Sequence, residues 1–268
     1  MKKAPDDHLL VLRVPSLRTE LASPAMRRAL AAEALAMLLF VFFAAGTAVM
    51  TGSALADRLA PARILVVAVA HAVAFGLAVA AATAFSGGHV NPAISVAAVM
   101  AGRMPARRGA MYVAAQLTGA IAGAMLLKML VPGAIANGLG THAVGTRVTM
   151  EGALVIEMIM TCALVVTFFL TASSARRELR PLVLGAFVLL AHLFGAGLTD
   201  ASMNPARTFG PALLSGAWAN HWVYWTGPLM GAALAAMVWR WGRPWAAAPN
   251  EAWINGDESA HRLRRESR

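Results

Sequence analysis

Charge is what this chain lacks most. Of its 268 residues, only 13% are Asp, Glu, Lys or Arg, where a soluble globular domain carries about 25%. With 59% hydrophobic residues and a mean hydropathy of +0.62, an ordinary water-exposed fold is excluded and lipid must cover much of the surface. Cysteine is nearly missing: Cys162 stands alone in an apolar run, so no intramolecular disulfide can form and the residue reads as small core filler. No cluster of His, Cys, Asp and Glu has metal-ligand spacing, no nucleophile stands with a base, and no phosphate loop occurs. The expectation is no cofactor, no metal and no catalysis. The first 25 residues are polar and hold no apolar core of a cleavable signal. The net charge of +10 lies at the ends and in two loops and forms no stripe with interleaved aromatics. That is the bias of a membrane protein, and it argues against a nucleic-acid partner.

Six apolar segments are long enough to span a bilayer: 27–50, 62–84, 107–131, 151–172, 180–198 and 220–241. Two shorter ones, 91–101 and 204–214, reach about half that thickness and read as re-entrant half-helices, tolerated only where protein or water covers the irregular backbone. The spacing thus predicts an all-α membrane protein with six transmembrane helices and two half-helices. Basic residues precede the first span (Arg18, Arg27, Arg28), follow the second (Arg103, Arg107, Arg108), separate the fourth from the fifth (Arg176, Arg177, Arg180) and close the chain (Arg240, Arg243, Arg262). The other side has Arg58, Arg63 and Arg147, with Lys128 near a helix end, which places both termini in the cytoplasm. Trp218, Trp222 and Trp225, then Trp239, Trp241 and Trp245, mark the two interfaces of the sixth span. The organisation expected is a tail over 1–25, a membrane unit over 26–245 and a tail over 246–268. Within the unit, two repeats, about 27–131 and 151–241, are joined by a Gly-rich loop at 132–150.

The repeats carry the most specific signal. Asn91-Pro92-Ala93 and Asn204-Pro205-Ala206 each open a half-helix, 113 residues apart. An asparagine caps the free backbone N–H groups and proline fits the first helical position, where no N–H is needed. A buried glutamate opens each repeat, Glu33 and Glu157. Three spans per repeat is an odd number, so the second repeat inserts upside down, and the half-helices meet near the midplane with their positive ends together. Each asparagine can then cap with its oxygen and keep its NH₂ as a donor toward a lumen. Arg207, three residues past Asn204, is a charge at a depth where charges face water or a functional cavity; the alternative is an ion pair with Asp200 that fixes the loop. Gly119/Gly123 and Gly227/Gly231 are close-approach pairs for helix packing.

The paired Asn-Pro-Ala motifs, the Ser86-Gly87-Gly88-His89 lead-in, Arg207 and the two buried acids resemble the aquaporin, or major intrinsic protein, family over about residues 27–242. The resemblance implies a passive, proton-excluding water channel with a pore in each subunit of a homotetramer. It implies a selectivity filter of His71, His192, Ala201 and Arg207, with Phe75, one turn after His71, as the rival occupant of the first position. It also implies a ladder of backbone carbonyls at Gly87, Gly88, His89 and Val90 in one loop and Asp200, Ala201, Ser202 and Met203 in the other. Glu33 and Glu157 are then structural acceptors for those loops. His89 either lines a vestibule or holds its loop by a hydrogen bond. A histidine at 71 is similar to the tonoplast members and departs from strict water channels; with the small Ala201 it implies a wider, more polar aperture. Water is the expected permeant, in a bacterial inner membrane. The alternative is a broader pore for ammonia, hydrogen peroxide, glycerol or metalloid hydroxides. A secondary transporter, which also uses inverted repeats, is the distant rival.

Overall fold

The computed structural model describes residues 17–54, 59–174 and 177–242. Among the described residues all regular structure is helical. A short α1 (Leu17–Ala22) precedes α2 (Pro24–Ala54), α3 (Pro61–Ser86), the half-helix α4 (Pro92–Met100) and α5 (Ala106–Leu130). The second half follows as α6 (Met150–Ala172), α7 (Arg180–Gly195), the half-helix α8 (Pro205–Ser215) and α9 (Val223–Trp241). The expectations placed on 1–16 and 243–268, and on Arg58, Arg176 and Trp245, lie outside the described residues.

Among the described residues six spanning or near-spanning helices and two half-helices therefore occur, with altered ends. Helix α2 starts at Pro24, ahead of the expected 27, since proline suits a first turn whose N–H groups have no helical acceptor. Helix α7 stops at Gly195, three residues before the expected 198. The Gly195 carbonyl collects the N–H groups of Leu198, Thr199 and Asp200 at 3.0, 3.0 and 3.1 Å, which turns the chain into the second re-entrant loop. Helices α2, α3, α5 and α6 are each long and apolar enough to cross a membrane. The 16 residues of α7 reach only about 24 Å, and the loop behind it supplies the rest of the thickness.

Helix α5 packs on α2 and α9 on α6, through the glycine pairs. A Cβ on Gly119 or Gly123 would stand 2.1 or 2.4 Å from the carbonyl oxygens of Ala34 and Leu38. On Gly227 it would meet Glu157 Cβ at 2.7 Å, and on Gly231 the Met158 carbonyl at 2.4 Å. Helices α3 and α7 cross at Gly76 and Gly185, one from each half. The start of α2 and the end of α9 share a face with Arg103, Arg107, Arg108 and Arg180, called the basic face below; residues 131–149 cover the opposite, loop face. On the basic face Glu20 of α1 pairs with Arg108 at 3.5 Å and Arg107 at 3.9 Å. Leu35, Leu39 and Phe43 of α2 and Leu65, Val69 and Leu77 of α3 are exposed, an apolar exterior suited to lipid or to another membrane subunit.

Candidate pore site

The first re-entrant loop hangs on one carboxylate. Glu33 Oε1 accepts from Ser86 Oγ at 2.5 Å and the His89 N–H at 2.9 Å. Its Oε2 accepts from the Val90 N–H at 2.7 Å and Gln116 Nε2 at 2.8 Å. Tyr112 donates its hydroxyl to the Ser86 carbonyl at 3.0 Å. The backbone turns through left-handed φ at Gly87 (88°), Gly88 (67°) and Val90 (48°). Glycine is needed at 88 twice over, because a Cβ there would also stand 2.7 Å from the Val79 carbonyl. His89 is buried between Tyr112 and Phe168, and its Nδ1 bonds Ser95 Oγ at 3.0 Å.

The second loop repeats this 113 residues later. Glu157 Oε1 accepts from Thr199 Oγ1 at 2.7 Å and the Ser202 N–H at 2.9 Å, and Oε2 from the Met203 N–H at 2.8 Å. Left-handed φ recurs at the three matching positions, Asp200 (58°), Ala201 (52°) and Met203 (52°), with no glycine among them. The Asp200 carboxylate takes the Ala143 N–H at 3.0 Å, a tether to the segment between the halves.

The two loops meet through their asparagines. Asn91 Oδ1 caps α4 on the Ala93 N–H at 2.8 Å; Asn204 Oδ1 caps α8 on those of Ala206 and Arg207 at 3.1 and 3.2 Å. Each Nδ2 donates one hydrogen across the junction, Asn91 to the Met203 carbonyl and Asn204 to the Val90 carbonyl, both at 2.8 Å. The amides are thus not wholly free for a lumen: one of the two hydrogens on each is spent on the opposite loop. The Val90 and Met203 carbonyls each have one lone pair engaged in the same way, and the second remains.

On the loop-face side, Arg207 is buried at 1% exposure. Its Nη1 donates to the Gly140 carbonyl at 3.0 Å and its Nη2 to His71 Nε2 at 3.1 Å. His71 Nδ1 lies 2.8 Å from the Val67 carbonyl and must be its protonated nitrogen, so Nε2 holds the lone pair that Arg207 uses and the ring is neutral. His192 repeats the pattern with Nδ1 on the Val188 carbonyl at 2.9 Å, but its Nε2, also a lone pair, has no partner among the described residues. The two rings lie with centroids 4.2 Å apart and planes tilted by 36°. Phe75 lies one turn away and packs edge-on against Phe40 at 5.3 Å, apart from Arg207. Ala201 sits beneath, against Gly195. His71, His192 and Arg207 form the floor of a cavity of about 470 Å³ open to the loop face, with Arg63, His142 and Asp200 also in its wall.

The structure brings His71, His192 and Arg207 together; Ala201 is fully buried against Gly195 and is not among the residues that line the cavity, and the asparagines and the two acids lie around the loop junction. Several residues there were not singled out in the sequence. Gln116 donates to both Glu33 and Ser95 Oγ (3.0 Å), and its spacing three residues before Gly119 is the signal that points it at α2. His142 Nδ1 bonds Thr208 Oγ1 at 2.7 Å, which meets Ser202 Oγ at 2.5 Å; a histidine in an aperiodic loop carries no such signal. Arg180 was counted only as surface charge.

A profile of the major intrinsic protein family matches residues 20–239. The chain is similar to "Aquaporin TIP1-2" of Zea mays, 40% identical over 227 residues that cover 82% of this chain and 87% of that protein. "Aquaporin-5" of Mus musculus is 40% identical over 227 residues, 83% of each chain. "Aquaporin-4" of Homo sapiens is 37% identical over 217 residues, 80% of this chain and 67% of the relative. Among solved structures, the aquaglyceroporin from Plasmodium falciparum aligns with a TM-score of 0.68 at 20% identity, over 81% of this chain and 95% of that one, a likeness of fold alone.

Proposed function

The chain belongs to the major intrinsic protein family and is a membrane channel, not an enzyme; from that premise we propose that it conducts water passively and excludes protons. The observation that carries this reading is the reciprocal cross-link of Asn91 and Asn204 to the Met203 and Val90 carbonyls. It fixes two half-helix N-termini head to head, where their dipoles oppose any cation. It also leaves one amide hydrogen on each asparagine for a single water oxygen. A water that accepts from both has its own hydrogens turned away along the pore, which interrupts a proton wire while water still passes. The occupied oxygens of Glu33 and Glu157 leave neither acid for ion coupling, which argues against a transporter. We assign the filter to His71, His192, Ala201 and Arg207, and the pore wall to the carbonyls of the two loops.

Ammonia and hydrogen peroxide are the second reading, with glycerol and metalloid hydroxides behind them. What favours it is an acceptor with no partner among the described residues, His192 Nε2, on a residue that lines the same cavity as Arg207. One acceptor beside one donor suits any small neutral molecule that both donates and accepts. Vesicles holding the protein are expected to shrink fast under an osmotic step with a low activation energy; saturable or proton-coupled flux would overturn the channel for water. His71→Phe is expected to lower ammonia and peroxide flux while water flux stays, and an unchanged ratio removes His71 from the filter. We also place a pore unit at 26–245 between tails at 1–25 and 246–268. Both ends then lie on the cytoplasmic side of a bacterial inner membrane, in a homotetramer with one pore per subunit. The basic face and the apolar exterior support that arrangement.

A further inference from the structure

The crossing of α3 and α7 sets a register between the halves. A Cβ on Gly76 would meet the Pro181 carbonyl at 3.0 Å, and one on Gly185 the Ala72 carbonyl at 2.8 Å. Residues 109 apart thus exchange places under the repeat: 72 with 181, 76 with 185. The same operation takes His71 to Arg180 and His192 to Thr83. The pair that flanks Arg207 on the loop-face side therefore has a counterpart at the basic face, and that counterpart contains an arginine.

Its surroundings are those of a constriction. Arg180 Nη2 donates to Thr83 Oγ1 at 2.8 Å and to the Gly87 carbonyl, the first position of the re-entrant loop. The guanidinium lies over the Phe168 ring, 5.0 Å from its centroid, and that ring stands edge-on to His89. Arg180 is 3% exposed and its Nε, like that of Arg207, has no hydrogen-bond partner among the described residues. Among the described residues no carboxylate forms an ion pair with either arginine. The position is also poor for a cation in helix terms, since Arg180 opens α7 at its positive end. A hydrogen-bond staple for Gly87 needs only a neutral donor. A buried charge with no ion-pair partner among the described residues is costly, and in a membrane such a charge faces the bundle interior or a water-filled cavity. Arg180 and His192 are twelve residues apart on α7, about 18 Å along its axis, with the asparagine junction between them.

We propose that Arg180, with Thr83, His89 and Phe168, forms a second selectivity constriction at the basic face, where its guanidinium repels cations and donates to the passing solute. This rests on the channel reading above. Cation exclusion is then shared between two arginines supplied by different elements, Arg207 by a half-helix and Arg180 by a span.

The test uses the full chain in vesicles, with osmotic shrinkage as the water readout and potassium flux as the ion readout, normalised to protein incorporated. R207V alone is expected to leak little potassium. Adding R180Q, which keeps a donor for Gly87 but no charge, is expected to raise that leak roughly tenfold, while R180K in the same background restores exclusion. No added leak with R180Q, or equal leaks with R180Q and R180K, would overturn the second constriction. If R180Q fails to insert, T83D in the same background sets a carboxylate against the same guanidinium: a raised potassium leak supports the second constriction and no added leak overturns it. Wild-type vesicles that shrink no faster than empty ones would defeat the channel reading itself; fast wild-type shrinkage with an inert R180Q defeats only this inference.

Discussion

The two re-entrant loops follow one backbone path with different chemistry. Both turn left-handed at the same three positions and both hang on a glutamate from the first span of their half. The first loop has Gly87 and Gly88 where the second has Asp200 and Ala201. Glu33 receives four hydrogen bonds, the fourth from Gln116, three residues before Gly119; Tyr224 holds the matching place three residues before Gly227, and Glu157 receives three. The second loop is held from elsewhere, by the Ala143 N–H on Asp200 and by His142 through Thr208 to Ser202. The first loop makes two of its three left-handed turns on glycine, with Val90 the exception, and Arg180 of the other half donates to its Gly87 carbonyl. The second holds strained residues in place with tethers from the segment between the halves, on the side where Arg207 and the open cavity lie.

The glutamates give the hardest test of this contrast. Removing one partner of a buried charged network costs about 3–5 kcal/mol, and Glu33→Ala orphans four donors against three for Glu157→Ala. Glu33→Ala is expected to lose more stability in detergent, read as the larger fall in unfolding temperature. The reverse order would mean that the tethers of the second loop, and not its carboxylate, depend on Glu157.

Glycine and alanine provide a sharper test, because the two changes should differ in sign. Gly88→Ala puts a methyl 2.7 Å from the Val79 carbonyl at φ +67°, and a strained backbone alone costs about 1–3 kcal/mol. Ala201→Gly relieves a left-handed alanine at φ 52°. The relief of about 1–2 kcal/mol is offset in part by the greater freedom of glycine in the unfolded chain. Thermal unfolding should show Gly88→Ala clearly destabilised and Ala201→Gly unchanged or stabilised. A loss for Ala201→Gly as large as that for Gly88→Ala would show that the Ala201 methyl against Gly195 matters more than the strain.

Local rules explain why much of this was legible in the sequence. An Asn oxygen capping the next N–H groups and a Pro at the first helical position are properties of three residues, so both half-helix starts could be read directly. The choice between His71 and Phe75 could not. They lie one turn apart on one helix face, and only the packing of α3 on α2 and α7 sets His71 beside Arg207 and Phe75 on Phe40. Arg180 shows the converse limit. A basic residue in a loop-flanking run reads as interfacial charge, and only the fold, by laying α7 across the end of α3, buries it on Gly87. Likewise the amide cross-link needs both loops at once, so the sequence suggested donors toward a lumen but not that half of them are spent on each other.

The smallest expected effect isolates what the tether is worth. Asp200→Gly frees a residue at φ 58° from left-handed strain but removes the acceptor for the Ala143 N–H. The strain on an aspartate is modest, because Asp tolerates this region better than most residues, and a net hydrogen bond is worth about 0.5–1.5 kcal/mol. The two terms have opposite signs and similar size, so unfolding temperature should barely move. Asp200→Asn keeps an acceptor and a residue tolerant of this φ, and should match the wild type. If Asp200→Gly destabilises strongly while Asp200→Asn does not, the side-chain oxygen's hold on the Ala143 N–H outweighs the backbone strain. The second loop is then kept in shape chiefly by the segment between the halves. If both are destabilised alike, the charge itself is needed, and Arg63 and Arg207 are the positive groups in the cavity wall. The contrast between the loops would then be one of electrostatics, with the open vestibule as its seat.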